Sequence, residues 1–173
     1  MKIKRLILGS LETNCYILEN NDEVLIIDPA DDYEKIIKNT DNKKILGVIV
    51  THHHFDHVGA FPNFKDKYKI YDYSNLLDDN KIGTFKFKRL ITKGHTDDSI
   101  SIYFEKEKVL FSGDFIFKHE IGRCDLGGNV EDMKNSIEYI KKFPKDITIY
   151  PGHGEKTTLE DELKNNYYFN HNW

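Results

Sequence analysis

The chain has 173 residues, of which 39% are hydrophobic and 31% charged, and its formal net charge at pH 7 is −4. This length and balance predict a single globular domain over residues 1–173, and the lack of a basic surplus argues against a nucleic-acid partner. No apolar run approaches the roughly 20 residues that cross a bilayer, or the roughly 7–15 of a secretory signal. We therefore expect a cytoplasmic protein with no membrane partner and with Cys15 and Cys124 reduced.

Short β-rich runs predict strands in the first fifty residues, at IKRLIL, NCYILEN and EVLIID, with turn residues between them. The stretch DDYEKIIKN then predicts a short helix with an aspartate cap. The run ILGVIVTH is the most apolar of the chain, and three consecutive β-branched residues, Val48 to Val50, predict a strand that is buried on both faces.

The remaining elements alternate between strands and helices. Strands are predicted at YKIYDY, IGTFKFKRLI, SISIYF, KVLFSGD and DITIY. The segment NVEDMKNSIEYIKKF predicts a helix capped by Asn129, and TTLEDELKNNYYF a closing helix with Thr157 and Glu160 as a capping box. The first of these helices has apolar residues at helical spacing: Val130, Met133, Ile137 and Ile140. This order predicts an α+β fold, a four-layer αβ/βα sandwich of two mixed sheets with helices on the outer faces.

The stretch THHHFDHVGA follows the most apolar strand and places four polar residues in the spacing H-x-H-x-D-H, namely His52, His54, Asp56 and His57. Residues two apart in an extended segment share a face, so His52 and His54 can point to the same place. Neutral imidazoles and a carboxylate are typical ligands of zinc and similar ions. His53 has the opposite parity, and we do not expect it to be a ligand.

Three other strand ends carry a lone histidine or aspartate beside a glycine: His95 in KGHT, Asp114 in SGDF and His153 in PGHG. Each of these positions is a weak signal by itself, because a histidine near a turn is usually a surface residue. Strand ends hold side chains rigidly, and four such ends on one edge of the sandwich predict a common metal centre.

Seven motifs in this order resemble those of the metallo-β-lactamase-fold hydrolases, and more closely their glyoxalase II-like (hydroxyacylglutathione hydrolase-like) branch. They are TNCYIL, DPA, THHHFDHVGA, GHT, FSGD, IGRCDLGG and PGHG, and they span nearly the whole chain. The resemblance implies two divalent metal ions, zinc first, with iron or manganese as alternatives. It implies that one ion is held by His52, His54 and His95, that the other is held by Asp56, His57 and His153, and that Asp114 bridges the two.

This resemblance also implies the chemistry, which is hydrolysis of a small acyl thioester such as S-lactoylglutathione. Water activated between the ions would attack the carbonyl, and Asp56 would accept or relay its proton as the catalytic residue. The alternatives on this fold are a persulfide dioxygenase with one iron and a lactonase. A binding protein that has lost its chemistry is a further alternative, against which the full set of donors argues. RNA processing is a lesser one, against which the acidic balance argues.

The loop HEIGRCDLGG after Asp114 contains Arg123, which can receive a substrate carboxylate in a bidentate contact. Pairing of Arg123 with Asp125 is an equally open alternative, and the roles of Cys124 and His119 are left undecided.

The chain also departs from glyoxalase II in ways that weaken glutathione thioesters as the specific substrate. We expect no counterpart of the family's C-terminal helical domain, and Asp97 and Asp98 follow GHT where relatives often have proline and glycine. The acyl and thiol groups, the metal in use and the oligomeric state stay open.

Overall fold

The computed structural model describes residues 1–171 and 173. The first half of the chain forms one sheet in which the strands lie in sequence order. The first three strands pair antiparallel and the last two pairings are parallel, so this sheet is mixed. Its members are β1 (Lys2–Leu8), β2 (Thr13–Asn20), β3 (Glu23–Ile27), β4 (Lys44–Ile49) and β5 (Ile70–Tyr71).

The second half of the chain forms a second mixed sheet and a small two-stranded ribbon. Its strands are β6 (Asp79–Ile82), β7 (Phe85–Ile91), β8 (Ile100–Phe104), β9 (Val109–Gly113), β10 (Ile116–Phe117), β11 (Glu120–Ile121), β12 (Thr148–Pro151) and β13 (Thr157–Thr158). The sheet order is β13-β12-β9-β8-β7-β6, with β12 and β9 parallel, and the ribbon is β10-β11.

In the part of the chain that the structure describes, five short helices accompany the sheets: α1 (Tyr33–Lys38), α2 (Phe61–Lys65), α3 (Val130–Ile140), α4 (Leu159–Asn165) and α5 (Tyr167–Asn170). Alternate residues of β3 face opposite ways, as strand geometry requires. Leu25 and Ile27 belong to a core cluster shared with Ile102 and Phe111 of the second sheet. Ile26 belongs to a cluster on the other face of the first sheet.

The helices cover the outer faces of the two sheets. Ile36 of α1 and Phe64 of α2 pack on the first sheet, whereas Met133 of α3 and Leu159 of α4 pack on the second. Two sheets face to face with helices outside make four layers, so the predicted sandwich is confirmed. Within the described residues, the structure contains no helix with the length and apolarity needed to span a membrane.

One predicted strand is in fact a hairpin. The segment IGTFKFKRLI is interrupted by Gly83 and Thr84, and Ile82 pairs with Phe85 on either side of this two-residue turn. Gly83 has a φ of 55°, a conformation that glycine adopts without the Cβ penalty of other residues. The alternating apolar pattern runs through the turn, and the pattern alone therefore does not reveal it.

The predicted closing helix is also divided, and its predicted cap is wrong. Thr158 caps α4 by accepting a hydrogen bond from the Asp161 amide, whereas Thr157 belongs to β13. The helix stops at Asn166, whose backbone is extended and whose side-chain oxygen accepts from the Tyr168 amide to start α5. In α3 the Asn129 cap is confirmed, but Val130 is exposed because it lies at the first turn, beyond the edge of the core.

The site lies where the two sheets meet at one edge. The backbone amide of Ile100, at the start of β8, donates to the carbonyl of Thr51, the second residue after β4. At the same edge Thr13, at the start of β2, forms a bridge with His153, which follows β12. The loops after β4, β9 and β12 and the loop before β8 therefore converge.

Candidate metal centre

Three imidazoles from two loops form the first donor group: His52, His54 and His95. One ligand atom of each lies within 4.8 Å of the others, and His54 Nδ1 is 2.8 Å from His95 Nε2. The far nitrogen of each of these two rings faces a backbone carbonyl, His95 Nδ1 that of Arg123 at 2.7 Å and His54 Nε2 that of Leu126 at 2.9 Å. These carbonyls fix the tautomers, so that the inward nitrogens carry free lone pairs.

The second donor group contains one carboxylate and two imidazoles: Asp56, His57 and His153. The Asp56 Oδ2 atom is 3.2 Å from His153 Nε2 and 3.5 Å from His57 Nε2. Thr13 donates its hydroxyl to the same carboxylate oxygen at 2.7 Å, and His153 Nδ1 faces the carbonyl of Leu11 at 3.1 Å. The turn between β1 and β2 thus holds His153, and the start of β2 holds Asp56.

Asp114 lies between the two donor groups. Its Oδ1 atom is 3.1 Å from His57 Nε2, and its Oδ2 atom is 3.5 Å from both His95 Nε2 and His153 Nε2. Asp114 also forms a compact set with His52 and His57. A carboxylate that lies close to imidazoles of both groups is placed where a bridging ligand would be.

A buried carboxylate behind the site orients His57. Asp28 Oδ2 lies 2.9 Å from His57 Nδ1 and accepts from the Thr51 hydroxyl at 2.7 Å, while Oδ1 accepts from the Thr51 amide at 2.7 Å. His57 therefore donates from Nδ1 and turns Nε2 toward Asp114, in a carboxylate–histidine arrangement typical of metal sites.

The loop that carries His153 is tied to the first sheet. Asn14 donates its side-chain amide to the carbonyls of Pro151 and Gly154, and its backbone amide donates to the carbonyl of Gly152 at 2.7 Å. Gly152 passes so close to the site that a Cβ there would clash with the Asp114 carboxylate. Glycine at this position lets the loop bring His153 against Asp114.

The charges of the site favour a cation. Burial alone would lower the pKa of His57, but the Asp28 and Asp114 carboxylates outweigh it and raise that pKa to about 10. Burial is likewise outweighed at His153, where Asp114 and Asp56 raise the pKa to about 9. Burial would raise the pKa of Asp56 and of Asp114, but the facing imidazoles lower both.

In the first donor group burial outweighs the nearby carboxylate in its effect on the histidine pKa values. Burial lowers the pKa of His52 and that of His95, because these imidazoles lose hydration and lie next to one another. Their nitrogens are then unprotonated at neutral pH, which is the form that binds metals.

Three buried polar atoms that point into this site have no hydrogen-bond partner: His52 Nε2, His57 Nε2 and Asp114 Oδ1. Orphaned polar atoms of this kind are rare in folded proteins because each costs free energy. A divalent cation among imidazole nitrogens and carboxylate oxygens would satisfy all three, and this donor set suits such ions. The residues present therefore fit a metal centre.

Comparison with known proteins supports the same interpretation. A model of the metallo-beta-lactamase superfamily matches residues 8–81 and 71–153. The chain belongs to the metallo-beta-lactamase superfamily. A probable metallo-hydrolase of Bacillus subtilis is 30% identical over 98% of this chain and 98% of its own length. A hydroxyacylglutathione hydrolase of Francisella philomiragia is 30% identical over 88% of this chain and 68% of its own length.

Solved structures of this superfamily superimpose closely on the chain. The crystal structure of BLEG-1, a B3 metallo-beta-lactamase, matches with a TM-score of 0.90 and 32% identity over 98% of this chain and 100% of its own. The crystal structure of TTHA1623 in a di-iron-bound form matches with a TM-score of 0.87 and 26% identity over 95% of this chain and 99% of its own. The protein is a metallo-hydrolase of this fold.

All seven sequence-predicted donors of the superfamily pattern thus converge, and His53 lies apart from them. The His53 ring faces the Asp98 carboxylate, which also accepts from the Thr96 hydroxyl at 2.7 Å. Asp98, one of the two aspartates that follow GHT, therefore holds His53 in the loop after β4.

Arg123 is paired within its own loop. Its Nε and Nη2 atoms donate to the two carboxylate oxygens of Asp125, each at 2.6 Å, and both side chains are exposed. The structure thus shows the pairing with Asp125 that the sequence left open, and the substrate role of Arg123 stays a prediction. Cys124 is half-buried, and burial raises the pKa of its thiol, which argues against a reactive thiolate.

A separate compact set of donors outside the site, formed by His119, Asp161 and Glu162, lies at the start of α4. The buried Glu162 carboxylate already accepts hydrogen bonds from the His119 amide, the Thr157 hydroxyl and the Asn166 side chain. His119 Nε2 lies 3.0 Å from Asp161. These contacts tie the ribbon to α4, and the set is structural.

The sequence motifs included the supporting residues Thr13, Asn14 and Asp28 but did not reveal their roles. TNCYIL and DPA mark them only as polar residues at the ends of apolar strands. All three are buried. A buried polar residue needs a hydrogen-bond partner. Polar residues at the ends of apolar strands are therefore the signal that could have pointed to these three supporting residues.

Proposed function

We propose that the protein hydrolyses a small acyl thioester such as S-lactoylglutathione. The observation that carries this proposal is the bridging position of Asp114 between two complete donor groups. The relatives named hydroxyacylglutathione hydrolase, at about 30% identity, support a thioester as the substrate class. The partner is then a small molecule and not a nucleic acid.

The residues that would hold the metal are the seven donors. His52, His54 and His95 would bind one divalent ion, Asp56, His57 and His153 a second, and Asp114 both. Zinc is our first assignment because imidazole and carboxylate suit it, and iron is the alternative that the di-iron neighbour favours. Bound ions of this kind lower the pKa of a water and polarise a substrate carbonyl.

The chain's own residues then handle the proton and the geometry. Asp56 has a lowered pKa and is thus ionised at neutral pH, so that it can accept or relay the proton of the attacking water. Thr13 holds one oxygen of this carboxylate in place. Asp28 holds the tautomer of His57. A thiolate leaving group is a weak base and needs little help from a general acid.

The decisive experiment is to purify the protein with its native metals, to count ions per chain, and to assay thioesters, lactones, β-lactams and persulfides. We expect two ions per chain and hydrolysis of thioesters, including S-lactoylglutathione. One iron per chain with oxygen consumption on a persulfide would instead establish the dioxygenase, and turnover of lactones alone would establish the lactonase.

Two histidines of one loop provide a matched pair of variants. His54→Ala should abolish thioester hydrolysis and lower the ion count, because His54 belongs to the first donor group. His53→Ala should retain both, because the His53 ring faces Asp98. Full thioester turnover by His54→Ala would contradict the proposed site.

A further inference from the structure

Three large apolar side chains lie exposed around the metal centre. Leu11 is 50% exposed, Phe55 75% and Leu126 51%. They come from three separate loops: the β1–β2 turn, the loop after β4, and the loop before α3. We call these three residues the apolar rim. A single exposed leucine is ordinary, but three large exposed apolar side chains on the loops of one site point to a shared role.

Two members of the apolar rim contact a donor histidine through their backbone carbonyls, and the third is adjacent to two donors in the sequence. The Leu11 carbonyl lies 3.1 Å from His153 Nδ1, and the Leu126 carbonyl lies 2.9 Å from His54 Nε2. Phe55 stands between His54 and Asp56 in the sequence. The rim therefore reaches both donor groups, with Leu126 beside the first and Leu11 beside the second.

The nearest cation on the Leu126 loop does not offset this apolar character. The Arg123 guanidinium is held in a two-point contact by Asp125, so its charge is already compensated. A ligand carboxylate would have to compete with that contact. An apolar group would lose only water, which is favourable.

We propose that the apolar rim binds the groups on both sides of the scissile bond, so that the enzyme prefers thioesters with apolar acyl and thiol groups. This inference rests on the proposed thioester hydrolysis and narrows its substrate class. Leu126 and Leu11 lie by different donor groups, and a thioester that spans both ions would contact one with each half. Glutathione thioesters, which carry two carboxylates, would be poorer substrates.

The test is a series of N-acetylcysteamine thioesters with acetyl, butyryl and hexanoyl groups, assayed beside S-lactoylglutathione. We expect kcat/KM to rise by about twofold for each added methylene, because partial burial of a methylene stabilises the bound state. The hexanoyl substrate should exceed S-lactoylglutathione in kcat/KM.

Variants of the apolar rim should remove this dependence on chain length. Phe55→Ser and Leu126→Ser should each lower the hexanoyl-to-acetyl ratio by about threefold to tenfold, and Leu126→Met, which keeps the apolar volume, should restore it. Leu77→Ser is the matched control: Leu77 is 70% exposed but precedes β6, at the edge of the second sheet three strands from β9. The ratio should be unchanged in that variant.

The possible failures can be told apart. A metal-loaded protein that cleaves no thioester would refute the proposed function, and with it this inference. Thioester hydrolysis with a flat chain-length profile, or with S-lactoylglutathione preferred, would refute only the apolar rim. Sedimentation provides a further check. A dimer that Phe55→Ser dissociates would show that a second copy covers the apolar rim, which would also overturn the inference.

Discussion

The two donor groups differ in charge and in what supports them. The first consists of three imidazoles, backed by the main-chain carbonyls of Arg123 and Leu126. The second includes a carboxylate and is backed by two buried side chains, Thr13 and Asp28. Main-chain support persists whatever the side chain, whereas side-chain support can be removed by one substitution. The second donor group is therefore the one that mutation and pH should weaken selectively.

The largest effect is expected at the residue that the two groups share. Asp114→Asn should reduce turnover of a thioester by about 10³-fold or more, because the bridging charge is lost to both ions. Metal content should fall at both sites. Asp125→Asn is a suitable control, since Asp125 is an exposed carboxylate on the following loop. If Asp114→Asn kept two ions and full turnover, the bridging assignment would be wrong.

The next effect is a difference in pH dependence between the groups. The raised pKa values of His57 and His153, about 10 and about 9, mean that both rings hold a proton at pH 6 to 8 when no metal is bound. A metal must displace those two protons, so its affinity for the second group should rise with pH, by up to about 100-fold per unit.

The first group should respond much less to pH. The pKa values of His52 and His95 are lowered, so these rings release no proton at neutral pH when a metal binds. Titration with a competing chelator at pH 6, 7 and 8 resolves the two affinities. If metal affinity rose equally steeply with pH at both sites, the predicted difference between the two donor groups would be wrong.

Removal of Asp28 should weaken the second group alone. Asp28→Asn replaces the carboxylate that orients His57 with a neutral amide. Loss of such a hydrogen-bond partner of a metal ligand lowers metal affinity by about 10- to 100-fold. Isothermal titration with zinc should show the tight first site retained. Asp31→Asn, at an exposed carboxylate three residues away, should leave both affinities as they are.

The smallest effect should come from Thr13→Val, which keeps the β-branched shape but removes the hydroxyl that bonds Asp56. We expect second-site affinity and kcat to fall by about threefold to tenfold, since one hydrogen bond to a charged group is lost. Thr13→Ser should recover most of the loss. A valine variant with unchanged kcat would show that the hydroxyl does not position Asp56.

The sequence was most informative where chemistry and strand ends coincide. His52, His95, Asp114 and His153 are polar residues directly after or between apolar runs, and such residues converge at one edge of a sandwich. The family resemblance supplied the grouping of the seven donors, and the superfamily membership is confirmed. The layered fold was predictable because the outer face of each sheet is apolar, and helices must cover such a face to keep it from water.

The remaining features depend on contacts that no local pattern contains. The break at Asn166 exists because its side chain donates to the carbonyl of Glu120 and to the carboxylate of Glu162. The two-residue turn at Gly83 leaves the alternating pattern intact. The pairing of Arg123 with Asp125 was visible only in the coordinates, since the sequence fits this contact and a substrate contact equally well.

The attachment of the His153 loop to Asn14 has a consequence for how the molecule is made. A residue near the beginning of the chain holds a donor that is separated from it by 139 positions. While the polypeptide is being synthesised, the last imidazole of the second group can reach its place only after the whole stretch from Asn14 to His153 has emerged. Stable capture of that ion would then follow the formation of both sheets, and the ion would join two segments that lie far apart in the chain.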